Sequence, residues 1–130
     1  MKTMKARQVA TPPKLPTAIV QVAAREVGNS EVNGSNRGPE IEKYFLADDY
    51  DPNGPKPGDD GYAWCAAFVC WVVREAMRLI GLPETPGFRR PRSAGAWRFE
   101  EWCRKQDGTA ILRKPASDIG PGDIVIFKFS

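Results

Sequence analysis

The strongest hydrophobic pattern in the chain runs over residues 64–80. Apolar residues recur there at intervals of three and four positions, and small or apolar residues stand between many of them. Such a pattern is typical of a helix that is covered on several sides. Gly81 and Pro83 follow closely and do not continue a helix. We therefore predict a long central helix over residues 64–80.

Three shorter helices are predicted around the central helix, and each has a recognisable start. They cover residues 18–27 after Thr17, residues 39–48 beginning at Pro39, and residues 94–105 after Ser93. The hydroxyl groups of Thr and Ser can accept hydrogen bonds from unpaired backbone N–H groups, and the φ angle of Pro already suits a first helical residue. Gly28 is expected just after the first of these helices, where a left-handed residue is favoured.

Two strands are predicted near the C-terminus, over residues 110–113 and 124–129. Residues 124–127 are apolar at every position, so we expect both faces of the second strand to be buried in a sheet. Residues 117–123 contain Pro-Gly-Asp and predict a tight turn into that strand. A sheet of two strands is marginal. We therefore expect an α+β domain whose sheet is completed by a second copy or by residues after 130, and we favour the latter.

Length and charge limit the classes of protein that remain. A chain of 130 residues has the common size of one domain. Residues 1–16 are basic and proline-rich without the apolar core of a signal peptide, and we interpret them as a disordered leader before a domain over residues 17–130. The net charge of +3 suits an anionic polymer such as a cell wall and is too small to indicate nucleic acid. No apolar run predicts a membrane span. Because residues 1–16 lack a signal-peptide core, we expect that action outside the cytoplasm would need another export route.

The cysteines Cys65, Cys70 and Cys103 are the candidates for chemistry, because the chain has no histidine. Their odd number argues against a disulfide framework, and a zinc site is not expected from three scattered cysteines. Cys65 stands where a glycine- and proline-rich loop meets the central helix. A helix N-terminus stabilises a thiolate, which is the nucleophilic form of cysteine. We predict that Cys65 is a nucleophile, with a buried core thiol as the alternative, and that the other two cysteines are core residues.

Four short stretches resemble, in their order along the chain, one known family. They are residues 34–39 (Gly-Ser-Asn-Arg-Gly-Pro), residues 64–69 (Trp-Cys-Ala-Ala-Phe-Val), Ser93-Ala94 with Trp97, and residues 121–127 (Pro-Gly-Asp-Ile-Val-Ile-Phe). Together they resemble the CHAP/NlpC-type superfamily of papain-like cysteine amidases and endopeptidases, which cut the stem peptides of peptidoglycan. The resemblance covers residues 17–127.

The resemblance implies an α+β, papain-like fold in which N-terminal helices and a central helix beginning near Cys65 pack on a small antiparallel sheet. It also implies a catalytic histidine that opens a strand after residues 122–127. The chain ends before that position, so we expect that C-terminal strands are missing and that hydrolysis by this chain is impaired. Many members have glutamine directly before the cysteine to hold the oxyanion. Trp64 stands there instead, which leaves the Cys65 backbone N–H and the Tyr62 hydroxyl as candidates.

Several polar and aromatic residues are candidates for contact with a substrate. Asn36, Ser93 and Trp97 could line a cleft near Cys65. The alternatives are that Asn36 satisfies the backbone of its own loop and that Trp97 lies in the core. The basic residues Arg89, Arg90 and Arg92 could contact acidic groups of a polymer, or they could form a solvated loop.

A calcium loop is a further possibility before the central helix. Asp49, Asp51 and Asn53 follow the pattern D-x-D-x-N-G, and Asp60 stands at the twelfth position, where a bidentate Glu is usual. Some CHAP domains are similar in having calcium-binding acidic residues just before the cysteine. The alternative is a solvated acidic turn, so Ca²⁺ is a possible ligand and no cofactor is required.

The sequence therefore favours a peptidoglycan stem-peptide amide hydrolase in which Cys65 is the thiolate nucleophile. The alternatives are a cell-wall-binding or structural module that keeps the fold without a catalytic base, and an antibacterial effector that is delivered to neighbouring cells. Peptidoglycan is the expected partner in each case.

Overall fold

The computed structural model describes residues 14–31, 38–47, 64–93, 95, 98–106 and 118–126. This part of the chain is α-rich. Its helices are α1 (Leu15–Arg25), α2 (Pro39–Glu42) with a 3₁₀ helix directly after it (Lys43–Ala47), α3 (Cys65–Ile80) and α4 (Phe99–Arg104). No strand is present among the described residues, where a single antiparallel bridge joins Thr85 and Phe88. None of the helices in these ranges is long and apolar enough to cross a bilayer.

Helix α3 has the length and the end that its apolar pattern predicts. Gly81 takes a left-handed conformation with φ 68°. The N–H of Leu82 then reaches back to the carbonyl of Met77 at 2.9 Å, and the N–H of Gly81 reaches that of Arg78 at 3.2 Å. This pair of bonds satisfies carbonyl groups that a helix end otherwise leaves unpaired. Glycine fits here because a side chain is strained in this conformation.

Helix α1 begins earlier than the sequence predicts, at Leu15 instead of residue 18. The N–H of Ala18 bonds to the carbonyl of Lys14 at 3.0 Å, so residues 15–17 form the first helical turn. Pro16 suits that turn because its φ is already helical and the first N–H groups of a helix have no intrahelical partner. Thr17 is therefore inside the helix and is not its N-cap. The end is close to the prediction, with Gly28 at φ 103° shortly after Arg25.

Helix α2 begins at Pro39, as predicted, but changes to the 3₁₀ helix at Lys43. The carbonyl of Gly38 accepts the N–H groups of Ile41 and Glu42 at 3.0 and 2.9 Å. The tighter 3₁₀ turn buries Tyr44, Phe45 and Ala47.

Helix α3 lies at the centre of the core, as expected from its wide apolar surface. Three clusters of buried residues each contain part of it, and small residues allow neighbouring segments to approach closely. The first cluster joins α1 to α3, the second joins α2 and the 3₁₀ helix to α3, and the third brings in α4. Their members are Ala18, Val22, Val72 and Ala76; Ile41, Tyr44, Phe45 and Ala67; and Ala47, Ala66, Cys70 and Phe99. The partly buried ring of Trp71 packs against all three clusters.

Helix α4 is shorter than predicted, since it begins at Phe99 after Arg98 and not after Ser93. The Ser93 hydroxyl instead accepts a hydrogen bond from the N–H of Gly95 at 2.9 Å. The backbone of Ser93 is also hydrogen-bonded, because its N–H and its carbonyl oxygen lie 3.2 and 3.3 Å from the sulfur of Cys70. Ser93 thus fixes the loop before α4 to the N-terminal half of α3.

The predicted final strand is not found where its residues are described. Residues 124–126 have no strand structure. Ile124 and Ile126 pack against the third cluster, whereas Val125 between them is 51% exposed, so the expectation of burial on both faces is wrong for these residues. Residues 127–129 and the other predicted strand, 110–113, lie outside the described residues. The described part therefore does not show the small sheet of the expected α+β fold.

The predicted turn before residue 124 is confirmed. The N–H of Asp123 bonds to the carbonyl of Gly120 at 3.2 Å, and the Asp123 carboxylate accepts the N–H of Gly120 at 2.9 Å. Pro121 and Gly122 are the central residues, and Gly122 has φ 86°, as a turn with a left-handed third residue requires. Gly122 also packs directly on α1, because a Cβ atom there would lie only 2.6 Å from the Cα of Pro16.

Candidate functional site

Cys65 is the first residue of α3, and its side chain is exposed. The first helical hydrogen bond of α3 joins the N–H of Phe68 to the carbonyl of Trp64 at 2.8 Å. The N–H groups before Phe68 have no intrahelical acceptor, and among the described residues no side chain caps this end of the helix. A thiol at such a position stands where backbone dipoles favour negative charge. The sulfur is thus reachable and lies where the sequence predicted.

The other cysteines lie in different surroundings. Cys70 is fully buried, and its sulfur both donates to and accepts from the backbone of Ser93. This confirms Cys70 as a core residue. Cys103 on α4 is partly buried, and this burial raises the pKa of its thiol although Arg104 opposes the shift. Of the three thiols, Cys65 is therefore the most accessible.

Trp64, directly before Cys65, is held by contacts on several sides. Its ring stacks on Tyr44 with centroids 5.7 Å apart and meets Phe68 edge-on at 6.2 Å. Its indole N–H donates to the Glu31 carboxylate at 2.9 Å. The sequence analysis missed Glu31, and no local signal could have identified it, since it lies 33 positions before its partner in a polar stretch. These contacts fix the backbone that leads into the helix at Cys65.

A polar network supports this aromatic group from the end of α1. The Glu26 carboxylate accepts hydrogen bonds from the Tyr44 hydroxyl and the Asn29 amide, both at 3.0 Å, and pairs with the Lys43 ammonium at 2.6 Å. Burial tends to raise the pKa of Glu26, but the bonds from Lys43 and Tyr44 outweigh it and lower the pKa below its usual value. Burial also raises the pKa of Tyr44. Lys43 lies over the Trp71 ring, 4.7 Å from its centroid, as a cation–π contact.

An open groove with a volume of about 450 Å³ lies between α1 and the C-terminal half of α3. It extends along α3 from Trp71 to Leu79 and does not include Cys65. The thiol and the groove are therefore separate features of the same helix.

Two arginines of the basic loop form contacts with other parts of the protein, which corrects the expectation of a solvated loop. Arg92 forms an ion pair with Glu84. Arg90 is half-buried, and its guanidinium donates to the carbonyl of Ala47 at 2.7 Å. The hydrogen bond from Arg92 is the main reason that the pKa of Glu84 falls from 4.5 to about 2. Arg89 is exposed, and its carbonyl accepts the indole N–H of Trp102 at 2.6 Å.

The remaining predicted site residues divide into two groups. Ser93 is described, but its polar atoms bond to Cys70 and Gly95. Tyr62, Asn36 and Trp97 lie outside the described residues, as do the predicted calcium ligands Asp49, Asp51, Asn53 and Asp60. Among the residues that are described, no group of three His, Cys, Asp or Glu side chains could hold a metal ion.

The geometry therefore presents one accessible thiol at the start of a rigidly held central helix. Such an arrangement can supply a nucleophile, together with the unpaired N–H groups that could stabilise an adjacent negative charge. Comparison of the chain with family models, with characterised proteins and with solved structures gave no match.

Proposed function

We propose that Cys65 is the nucleophile of a papain-like α+β domain that hydrolyses amide bonds in peptidoglycan stem peptides. The observation that carries this proposal is the exposed sulfur of Cys65 on the first residue of the central helix. The resemblance of residues 64–69 and 121–127 to CHAP/NlpC-type enzymes supports the choice of substrate. The proposed site of action is the cell wall.

The proposed reaction begins when the Cys65 thiolate attacks the amide carbonyl carbon. A tetrahedral oxyanion forms, and backbone N–H groups at the start of α3 are the proposed donors that stabilise it. The C–N bond then breaks, the amine leaves after it gains a proton, and water hydrolyses the remaining thioester. Because the 130 residues contain no histidine, they lack the usual donor of that proton. Absence of a general acid–base slows such a step by about 10²–10⁴-fold.

An activated ester tests the nucleophile without this donor. In p-nitrophenyl acetate the leaving phenolate needs no proton, so the chain should release about one equivalent of p-nitrophenolate in a burst, while cleavage of peptidoglycan stays very slow. The Cys65→Ala variant should lose the burst, and Cys103→Ala is the matched control that should keep it. A burst that survives Cys65→Ala and disappears in Cys103→Ala would contradict the assignment.

Alkylation gives an independent measurement of the same thiol. Iodoacetamide at about pH 6 should modify Cys65 well before Cys103, and Cys70 only after unfolding, because reaction requires exposure and thiolate character. Mass spectrometry of peptides from the labelled chain identifies the modified residue. Equal rates for all three cysteines would argue against a specially reactive Cys65.

The alternative function is a cell-wall-binding module that keeps the fold without catalysis. The specific observation in its favour is that the 130 residues include no histidine to act as a general base. Co-sedimentation with purified peptidoglycan separates the two functions. A binding module should bind the polymer without any p-nitrophenolate burst, whereas the proposed hydrolase should show the burst and lose it on Cys65→Ala.

A further inference from the structure

We infer that Glu31 is a positioning residue for Cys65 and acts through the indole ring of Trp64. The inference rests on the proposed function, because Cys65 is the nucleophile that Glu31 would hold in place. It depends on how α3 begins, on the contacts of the Trp64 ring, and on what fixes the position of Glu31.

Among the described residues, the start of α3 lacks the side-chain cap that usually fixes the first turn of a helix. Trp64 is the N-cap residue, but its backbone is helical, with φ −108° and ψ −2°, and its side chain makes no capping hydrogen bond. N-cap residues more often have an extended backbone and a short polar side chain that bonds to the first turn. Cys65 follows directly, and burial does not hold its side chain, because it is exposed. The position of the Cys65 backbone therefore depends on the contacts of Trp64.

The indole ring of Trp64 is held by aromatic contacts and by one directional bond. The ring stacks on Tyr44, with centroids 5.7 Å and ring planes 24° apart, and it meets Phe68 edge-on. Aromatic contacts of this kind fix the plane of a ring but tolerate displacement and rotation within that plane. The bond from the indole N–H to the Glu31 carboxylate, at 2.9 Å, restricts the remaining rotation, because hydrogen bonds weaken steeply when they bend.

Glu31 lies in a segment that is anchored to the same aromatic group. Asn29, two positions before it, donates from its side-chain amide to Glu26 at 3.0 Å and to the Tyr44 hydroxyl at 3.2 Å. The backbone N–H of Asn29 also bonds to the carbonyl of Glu26 at 3.1 Å. Tyr44 is thus tied to the segment before Glu31 and stacks on the ring that Glu31 binds. This closed arrangement gives Glu31 a defined position from which to hold Trp64.

A displacement of Cys65 would affect its proposed reaction in a specific way. Acylation needs the sulfur and the backbone N–H groups of the first turn in one geometry, because these groups stabilise the oxyanion as it forms. A misplacement of about 1 Å can slow such a step by about 10²-fold. Alkylation by iodoacetamide needs an exposed thiolate and no oxyanion donor. Loss of the Glu31 contact should therefore slow acylation much more than alkylation.

The first test compares these two reactions in Glu31→Ala and Glu31→Gln. With p-nitrophenyl acetate, the Cys65 thiolate attacks the acetyl carbonyl carbon, an acetyl thioester forms, and p-nitrophenolate leaves with the electrons of the broken C–O bond. Glu31→Ala should slow this burst at least about tenfold and change the alkylation rate less than about twofold. Glu31→Gln keeps an oxygen that can accept the indole N–H, so its burst should stay within about threefold of that of the unmodified chain.

Two further variants assign the effect to the bond between Glu31 and Trp64. Trp64→Phe removes the same bond from the other side and should slow the burst as Glu31→Ala does. Glu31→Ala added to Trp64→Phe should have less than about a twofold further effect, since the two residues act through one contact. Glu75→Ala is the matched control, because Glu75 is a partly exposed glutamate about 15 Å further along α3, and it should leave both rates unchanged. Far-UV circular dichroism checks that each variant is folded.

A second test does not depend on any reaction. The NMR order parameter of the Cys65 backbone N–H should have the value of rigid backbone, about 0.85, in the unmodified chain and in Glu31→Gln. It should fall in Glu31→Ala and in Trp64→Phe. If the unmodified chain gives no burst, the proposed function fails, and the order parameter alone decides whether Glu31 holds Cys65. If Glu31→Ala leaves the burst unchanged, the role of Glu31 fails and the proposed function stands.

Three other results would overturn the inference. The first is an equal loss of the burst in Glu31→Gln and Glu31→Ala, which would assign the effect to the charge of the carboxylate and not to the bond with Trp64. The second is equal slowing of acylation and alkylation in Glu31→Ala, which would show a general change at the thiol. The third is the same loss in Glu75→Ala, which would show that any shortened glutamate beside α3 has this effect.

Discussion

Replacing Gly122 by Ala tests the contact that ties the turn at residues 120–123 to the first turn of α1. The new Cβ atom would lie 2.6 Å from the Cα, 2.7 Å from the carbonyl oxygen and 2.8 Å from the Cβ of Pro16. Two of these atoms belong to the backbone of α1, so no rotation of a side chain relieves the clash. Either the turn or the start of α1 must move.

The expected cost has two parts that a second variant separates. Gly122 has φ 86°, and Gly81 at the end of α3 has φ 68° with no atom within 4 Å of the position that a Cβ would take. Gly81→Ala should therefore show only the cost of a left-handed alanine, about 1–2 kcal/mol. Gly122→Ala adds the cost of overpacking, about 1–3 kcal/mol, for a total of about 2–5 kcal/mol.

The assay is urea unfolding of the two variants and the unmodified chain, followed by circular dichroism. The midpoint should fall much further for Gly122→Ala than for Gly81→Ala, with similar slopes, which shows that stability and not compactness has changed. In a thermal scan, 1 kcal/mol corresponds to about 4 °C for a domain of this size. Equal losses in the two variants would refute the close approach between the turn and α1.

Two further predictions concern buried or paired carboxylates. The Arg92 hydrogen bond holds the pKa of Glu84 at about 2 against an ordinary 4.5, so the pair stabilises the fold above about pH 4.5 and loses this contribution as the pH falls towards about 2. Glu84→Gln should lower the urea midpoint near pH 6, and the midpoint of this variant should fall less steeply on acidification than that of the unmodified chain. The same dependence of the midpoint on pH in both proteins would contradict the pairing. Tyr44→Phe removes the hydroxyl that donates to Glu26 at 3.0 Å and accepts from Asn29 at 3.2 Å, and it should cost about 1–2 kcal/mol in urea unfolding at neutral pH. A cost near zero would show that the hydroxyl is replaced by water.

Local patterns in the sequence correctly predicted the parts of the structure that depend on neighbouring residues. The apolar surface and the terminal glycine of α3 gave its bounds to within one residue, because burial and the left-handed Gly81 both act locally. The turn at Pro121 and Gly122 was predictable for the same reason. The position of Cys65 at the start of the helix followed from the junction between a loop and an apolar run.

Contacts between distant parts of the chain explain the incorrect predictions. Ser93 was predicted as an N-cap, but its backbone bonds to Cys70, 23 positions earlier, and this contact fixes the loop so that α4 begins only at Phe99. Arg90 looked like a solvated charge, but it donates to a carbonyl 43 positions earlier in the chain. Helix propensity and residue spacing describe only neighbouring positions, so they do not identify hydrogen-bond partners that lie tens of residues away in the chain.

The shared position of Trp71 has a consequence for how this protein can vary over evolution. Its indole packs against each of the three core clusters, and it is the one side chain of the described part that does so. Substitutions within one cluster can be accommodated by neighbours in that cluster, whereas a smaller residue at position 71 would leave space in three places at once. Sequences that diverge from this one while keeping its fold should therefore retain a large aromatic ring at this position longer than at other partly buried positions.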